Sequence, residues 1–410
     1  MKFAEKIDPK TIPEINIGLF GHVDHGKTTL TQAITGKMTD THSEEIKRGI
    51  SIRLGYADVS IYRCSKCKAY CTSKKCPKCF EDCKIQRTIS FIDAPGHESL
   101  MATVLTGSAI IDGAILVIAA NEKCPSPQTY EHLTSLDVVG IKKIIIVQNK
   151  IDIVDQERIK ASYKEIKEFV KGTIAENAPI IPVSAMRGVN IEYIIEAMEN
   201  SIPTPKRDLT KDPKMYVARS FDINKPGSGV DKLVGGVIGG SIVDGKLKKG
   251  QEIELKPGIR IGESWKIITT KIVSLEKAGK KLEEAEAGGL LGILTELDPF
   301  LAKADGLVGN IVGLPGKLPE IRNKITLNIN LLERVVGTKE EMKMQNIRFN
   351  EPLMINIGTG RSVGVVTKIR GKDIEMDLKL PICADAGERI VLSRQVMGRW
   401  RLIGYGILKG

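Results

Sequence analysis

GHVDHGKT, residues 21–28, follows the apolar run INIGLF (15–20) and precedes TLTQAIT (29–35). The stretch fits G-x4-G-K-[ST], set between an expected strand and an expected helix, which is the context a phosphate-binding loop requires. Gly21 and Gly26 let the backbone turn so that successive N–H groups point at phosphate oxygens. The helix that starts near Lys27 adds its positive end. Lys27 reaches terminal phosphates, and Thr28 offers a hydroxyl to Mg²⁺. Gly21, Val23, Asp24, His25, Gly26, Lys27, Thr28 and Thr29 are therefore the candidate phosphate contacts.

Working outward from that loop, apolar strands alternate with helical patterns up to about residue 200. The strand candidates are INIGLF, TISFI (88–92), GAILVIAA (113–120), KIIIVQN (143–149) and PIIPVS (179–184). Helical spacing is clearest in ERIKASYKEIKEFVKG (157–172). Near-continuous apolar strands interleaved with helices predict an α/β fold with a doubly wound, mostly parallel sheet. The ligand should sit outside the carboxyl ends of the strands. The pattern changes at SIPTPKRDLTKDPK (201–214), which reads as a linker. Beyond it come short alternating strands with glycine turns, as in GGVIGGSIVDGKLKKGQEIELKPG (235–258) and again from about 323 onward. Two β-barrels or sandwiches are expected there. The glycine pairs 235–236 and 239–240 read as bends in a barrel strand. The expected domains are 1–203, with an insert at about 62–85, then 204–322 and 323–410.

Downstream motifs specify the nucleotide. KIIIVQ runs into Asn149-Lys150-Ile151-Asp152. A carboxylate at Asp152 accepts two hydrogen bonds from the ring N–H and amine of guanine, a donor pair that adenine lacks. Lys150 lies along the base plane in this reading, and Asn149 ties its loop to the phosphate loop. Ser184-Ala185-Met186 adds backbone N–H groups toward the guanine carbonyl. In FIDAPGHE, Asp93 ends a strand and holds Mg²⁺ through a water. Gly96 offers its N–H to the γ-phosphate, and His97 orients or polarises the attacking water. Arg48-Gly49-Ile50-Ser51-Ile52 lies where a mobile segment senses the γ-phosphate, with Ser51 as a second hydroxyl for Mg²⁺.

The 410 residues carry 61 Lys+Arg against 50 Asp+Glu, a net +11 that favours an anionic partner or simply solubility. Aromatic content is only 4%, which argues against stacking platforms as the main grip on nucleic acid. No apolar stretch reaches 18 residues and no signal peptide opens the chain, so a cytoplasmic protein without a membrane span is expected. Six of the eight cysteines fall within 64–83. Cys64-x2-Cys67 and Cys76-x2-Cys79 have the spacing of a four-thiolate Zn²⁺ site with no open position, hence a structural one. Lysines 66, 68, 74, 75 and 78 offset its charge. Cys71 and Cys83 break the pair spacing and read as free thiols, although either could replace a ligand. Cys124 and Cys383 read as packing residues.

GHVDHGKTT, RGISI, DAPGH, NKID and SAM, followed by two β-domains, resemble the translational GTPases. THSEEIKRGISIRLGYADV (41–59), NEKCPSPQTYEHL (121–133), IPTPKRD (202–208), RSFDINKPG (219–227), LLERVVG (331–337) and GRWRLIGYG (398–406) bring the resemblance closer to the gamma subunits of archaeal and eukaryotic translation initiation factor 2. It implies a GTP/GDP switch that carries methionylated initiator tRNA to the small ribosomal subunit. It further implies a heterotrimer with alpha and beta subunits, slow hydrolysis aided by a GTPase-activating factor, and a zinc knuckle. A second Mg²⁺ near Asp24 and the Gly49 carbonyl is also implied. Ser51 departs from the usual Thr of the family, keeping the metal-binding oxygen but losing the methyl that restricts its rotamer. The alternative reading is an aminoacyl-tRNA-carrying elongation factor, or another G protein whose barrels bind proteins.

Overall fold

The computed structural model describes residues 7–39, 54–95, 101–225, 227, 229–334 and 343–410. It divides into two compact units. The first comprises 1–103, 111–133 and 141–205, and the second 104–110, 134–140 and 206–410.

The first unit is built on one seven-stranded sheet. Its strands are β1 (Pro13–Phe20), β2 (Gly55–Cys64), β3 (Tyr70–Cys71), β4 (Cys83–Asp93), β5 (Gly113–Ala119), β6 (Ile144–Asn149) and β7 (Ile180–Pro182), in the order β3-β2-β4-β1-β5-β6-β7. The pairings β1–β4, β1–β5, β5–β6 and β6–β7 are parallel. β5 and β6 are buried along their whole length, as strands covered on both faces must be. Ile17, Leu19, Ile115, Val117, Ile145 and Val147 pack with Leu30 and Ile34 of α1 (Lys27–Thr35) and with Ile194 and Met198 of α5 (Ile191–Ser201). The other helices of the region are α2 (Met101–Ser108), α3 (Pro127–Val139) and α4 (Gln156–Val170). Asp155 caps α4 by accepting from the Arg158 N–H at 2.7 Å.

Two strands of this sheet, β2 and the two-residue β3, have no counterpart among the sequence expectations. β2 pairs antiparallel with β4 from Gly55↔Asp93 to Cys64↔Cys83, and the cysteine insert hangs from the far end of that hairpin. Its burial alternates, because it is covered on one face only, so it lacks the continuous apolar run that marks β5.

The second unit contains two closed barrels. In the first, β8 (Lys214–Phe221), β9 (Val237–Asp244), β11 (Glu252–Ile261), β12 (Ser264–Lys277), β15 (Leu291–Thr295) and β16 (Ile311–Gly313) run β11-β16-β8-β9-β15-β12, and a β11–β12 pairing closes the ring. β13 (Lys280–Leu282) extends β12, β10 (Lys246–Lys248) pairs with β14 (Glu284–Glu286), and a single short α-helix, α6 (Pro299–Ala302), interrupts the strands among the described residues. At Gly235, Gly236 and Gly240 close approach leaves no room for a side chain, and the β8 strand bulges opposite Gly239–Gly240. A Cβ at Gly240 would run into the Tyr216 carbonyl oxygen, and one at Gly235 into that of Thr295.

The second barrel has strands β17 (Ile321–Leu331), β18 (Pro352–Ile357), β19 (Gly360–Arg370), β20 (Asp373–Cys383), β21 (Arg389–Val396) and β22 (Arg399–Leu408) in the order β17-β20-β19-β18-β21-β22. Leu327, Leu353, Ile355, Val366, Ile374, Leu392 and Ile403 fill its interior. Lys214 of β8 is tied to Asp385 at 3.0 Å and to Glu388, which joins the two barrels.

Candidate functional site

The phosphate loop lies where β1 ends and α1 begins. Gly26 sits at φ 88° and caps α1, and Gly21 sits at φ 141°. Both conformations disfavour a side chain, and the space is also taken. A Cβ would strike the Val117 carbonyl oxygen at Gly21 and the Asn149 Nδ2 at Gly26. Lys27, buried in the first turn of α1, arches back so that Nζ donates to the carbonyls of Gly21 at 2.9 Å and His22 at 2.8 Å. The ammonium is thereby fixed over the loop that precedes it. Asp24 is exposed at φ 60°, and Val23 and Thr29 are half-buried.

Asp93 is fully buried at the end of β4, where the parallel register Leu19↔Asp93 sets it beside the loop. Its Oδ2 accepts from the hydroxyls of Thr28 at 2.7 Å and Thr39 at 2.8 Å. Three oxygens thus converge next to the Lys27 turn, a donor set suited to a hard divalent cation.

The loop after β6 closes the other side. Asn149 Nδ2 donates to the His25 carbonyl at 2.9 Å, and its Oδ1 accepts from the Ala185 N–H at 3.0 Å. One carboxamide therefore fastens three loops. Lys150 adopts φ 65° and opens the short helical turn Ile151–Ile153, which carries Asp152. Asp152 is partly exposed, with Arg187 Nε 3.9 Å from its Oδ2. Ser184 is buried and its hydroxyl accepts from the Arg187 N–H at 3.2 Å, whereas Met186 is 75% exposed.

Three further residues support the loop and were not singled out in the sequence. His132, on α3, accepts the Gly21 N–H on Nδ1 at 2.8 Å. Burial, helped by the nearby Lys27 charge, pushes its pKa down to about 3, so the ring is neutral. Glu122 is the second: its Oε2 lies 3.2 Å from Nε2 of His25, whose Nδ1 meets the Val117 carbonyl at 3.0 Å, and burial lowers the His25 pKa too. Thr39 is the third. His132 and Glu122 fall in NEKCPSPQTYEHL, a stretch that carries the family resemblance, but nothing in it indicates contact with Gly21 or His25. Thr39 has no local signal at all. Gly49, Ser51, Gly96 and His97 lie outside the described residues.

A second cluster sits at the end of the β2–β4 hairpin. The sulfurs of Cys64, Cys67, Cys76 and Cys79 lie within 4.8 Å of one another. Cys64–Cys79 is 3.4 Å, Cys67–Cys76 3.5 Å and Cys67–Cys79 3.7 Å. A tetrahedron with metal–sulfur bonds of about 2.3 Å has edges of about 3.8 Å, so the spacing fits zinc. Some of the surrounding lysines face carboxylates as well: Lys66 is 3.5 Å from Glu81, and Lys78 3.5 Å from Glu192. Cys71 and Cys83 stand outside this set and lie 3.6 Å from each other. Cys124 and Cys383 are buried, and burial raises both thiols to about 12.

Residues 13–204 match the elongation factor Tu GTP binding domain, 235–317 elongation factor Tu domain 2, and 323–408 the C-terminal part of initiation factor eIF2 gamma. Translation initiation factor 2 subunit gamma of Methanocaldococcus jannaschii is 58% identical over 401 residues, covering 97% of this chain and 98% of the relative. The same subunit of Methanothermobacter thermautotrophicus is 59% identical over 407 residues, covering 98% and 100%. A solved bacterial selenocysteine-specific elongation factor superposes with a TM-score of 0.75 at 25% identity, covering 97% of this chain and 58% of that one.

Proposed function

Since the chain belongs to the gamma-subunit family of translation initiation factor 2, within the translational GTPases, we propose that its first 203 residues form the switch and the barrels at 204–322 and 323–410 the carrier surface. The protein is a GTP-binding translation initiation factor subunit and a GTPase.

In this reading Gly21, Val23, Asp24, His25, Gly26, Lys27, Thr28 and Thr29 hold the phosphates, and Asp152 selects guanine with Lys150 and Ser184-Ala185-Met186 around the base. The single observation that carries it is the Asn149 carboxamide, which bonds both the phosphate loop and the Ala185 loop. Base and triphosphate are thereby read by one rigid body. Magnesium, when bound, neutralises charge on the β- and γ-phosphates. Thr28, whose hydroxyl already meets Asp93, would hold it together with Ser51, and Asp93 would do so through a water. Asp24 and the Gly49 carbonyl would take a second ion. Gly96 donates to the γ-phosphate and His97 orients the attacking water, so the reaction is in-line hydrolysis, slow without an activating factor. Cys64, Cys67, Cys76 and Cys79 hold zinc, which fixes the hairpin end and leaves no site for a substrate.

The partners in this proposal are alpha and beta subunits in a heterotrimer, methionylated initiator tRNA, the small ribosomal subunit and a GTPase-activating factor, all in the cytoplasm. No helix among the described residues is long and apolar enough to cross a membrane. Filter binding of methionylated initiator and elongator tRNAs tests the carrier role. Tighter capture of the initiator form with GTP than with GDP is expected, and equal, salt-labile capture of every RNA would overturn it. In the same assay Asp152→Asn should move the nucleotide requirement from GTP to xanthosine triphosphate; an unchanged guanine preference removes Asp152 from base selection.

A further inference from the structure

The four-sulfur site leaves two thiols over, and they touch. Cys71, in β3, and Cys83, at the start of β4, place their sulfurs 3.6 Å apart, which is van der Waals contact. Neither belongs to the set of four whose sulfurs converge. The strands that carry them are not neighbours, since both flank β2, with Tyr62↔Cys71 on one side and Cys64↔Cys83 on the other. The approach is held from outside the pair. The Cys83 N–H donates to the Lys74 carbonyl at 2.8 Å, and the Cys76 N–H to the Glu81 carbonyl at 2.9 Å. With β2 between them the two backbones stand about two strand spacings apart, so closing the gap to a bond of about 2.05 Å draws the end of β3 toward β4.

We propose that Cys71 and Cys83 are a modification site that forms a reversible disulfide with a hydroperoxide as oxidant, while the four ligand sulfurs stay with the metal. Cys71 is buried and Cys83 half-buried, so the peroxide meets Cys83 first. Burial and the neighbouring Cys71 sulfur push the Cys83 thiol up to about 12, so it is the small thiolate fraction that attacks the terminal peroxide oxygen, slowly and at high peroxide. The O–O bond breaks, Cys83 becomes a sulfenic acid, and water or an alcohol leaves with the second oxygen. The Cys71 sulfur then attacks the Cys83 sulfur. The S–S bond forms, the S–O bond breaks, and the hydroxyl departs as water with the Cys71 proton. Two thiols lose two electrons and the peroxide gains them. A low-molecular-weight dithiol reverses the bond by exchange. The disulfide closes a loop that contains Cys76 and Cys79, so it pins the second ligand pair to the root of β4.

The test uses the zinc-loaded full chain, graded hydrogen peroxide, alkylation of remaining thiols and a non-reducing peptide map. The expected result is loss of alkylation at Cys71 and Cys83 together, a joined peptide lighter by two hydrogens, unchanged zinc content, and recovery with dithiothreitol. Cys71→Ser and Cys83→Ser should each bind zinc as the parent does and form no joined peptide. Alkylation of both thiols at every dose would overturn the proposal. So would zinc loss in either variant, or cross-links through Cys64, Cys67, Cys76 or Cys79 with metal release. The parent's map decides the matter even if a variant does not fold.

Discussion

The phosphate cradle and the cysteine knuckle are both constellations of polar groups in the same unit, but they are held together by opposite means. The cradle joins residues far apart in the chain: Gly21 to His132 across 111 positions, Thr28 to Asp93 across 65, and His25 to Asn149 across 124. Parallel register delivers these groups to one edge of the sheet, and the buried strands beneath fix their spacing. The knuckle gathers four sulfurs from 64–79 with little apolar packing of its own; Phe80 beside it is 78% exposed. A cradle of that kind survives loss of its ligand, whereas a knuckle of that kind depends on its metal.

The largest effect that separates the two is metal removal. Chelation of zinc, or Cys76→Ser, should abolish protection of backbone amides across 64–83 while GTP affinity stays within a factor of about two. Hydrogen exchange read beside nucleotide titration checks this. A cradle that loosens together with the knuckle would mean that β4 transmits order from its Cys83 end to Asp93, and the contrast would fail.

Second in size is the fastening of the cradle itself. Asn149→Ala leaves the His25 carbonyl and the Ala185 N–H unmatched in a buried setting, at about 1–3 kcal/mol each. GTP affinity should fall by about 30-fold or more with zinc content unchanged, as read by equilibrium titration and metal analysis. A small loss would mean that the loops are held by their own turns.

The same contrast explains what was legible in the sequence. GHVDHGKT and the two C-x2-C pairs declare themselves because their chemistry needs fixed local spacing. β1, β5 and β6 are legible because burial on both faces leaves unbroken apolar runs, and β17 because one-sided burial leaves alternation. β2 alternates similarly, but its Tyr, Asp and Ser positions mask the pattern. Gly235 and Gly240 announce a constraint without saying which, and only the apposed strands reveal the crowding. His132 and Thr39 act across the sheet, so no window of sequence contains their partners.

The smallest effect tests whether His132 belongs to the cradle as a neutral acceptor. Its Nδ1 takes the Gly21 N–H, and burial holds its pKa near 3 against about 6.5 in an unfolded chain. The folded value is the lower one. Above pH 6.5 both states are neutral and its contribution is intact; as pH falls toward 3 the unfolded state alone takes up the proton, and stability drops. The slope approaches about 1.4 kcal/mol per pH unit, or about 2 kcal/mol between pH 7 and pH 5. His25 titrates in the same direction but remains in the variant, so His132→Gln isolates one proton. Glutamine keeps an acceptor for Gly21 and cannot be charged in this range. Urea unfolding of the variant should therefore lose less stability on acidification than the parent, by about that amount. Parallel pH profiles would show that the imidazole is not buried neutral against Gly21, and the cradle would be anchored at Asn149 and Asp93 alone.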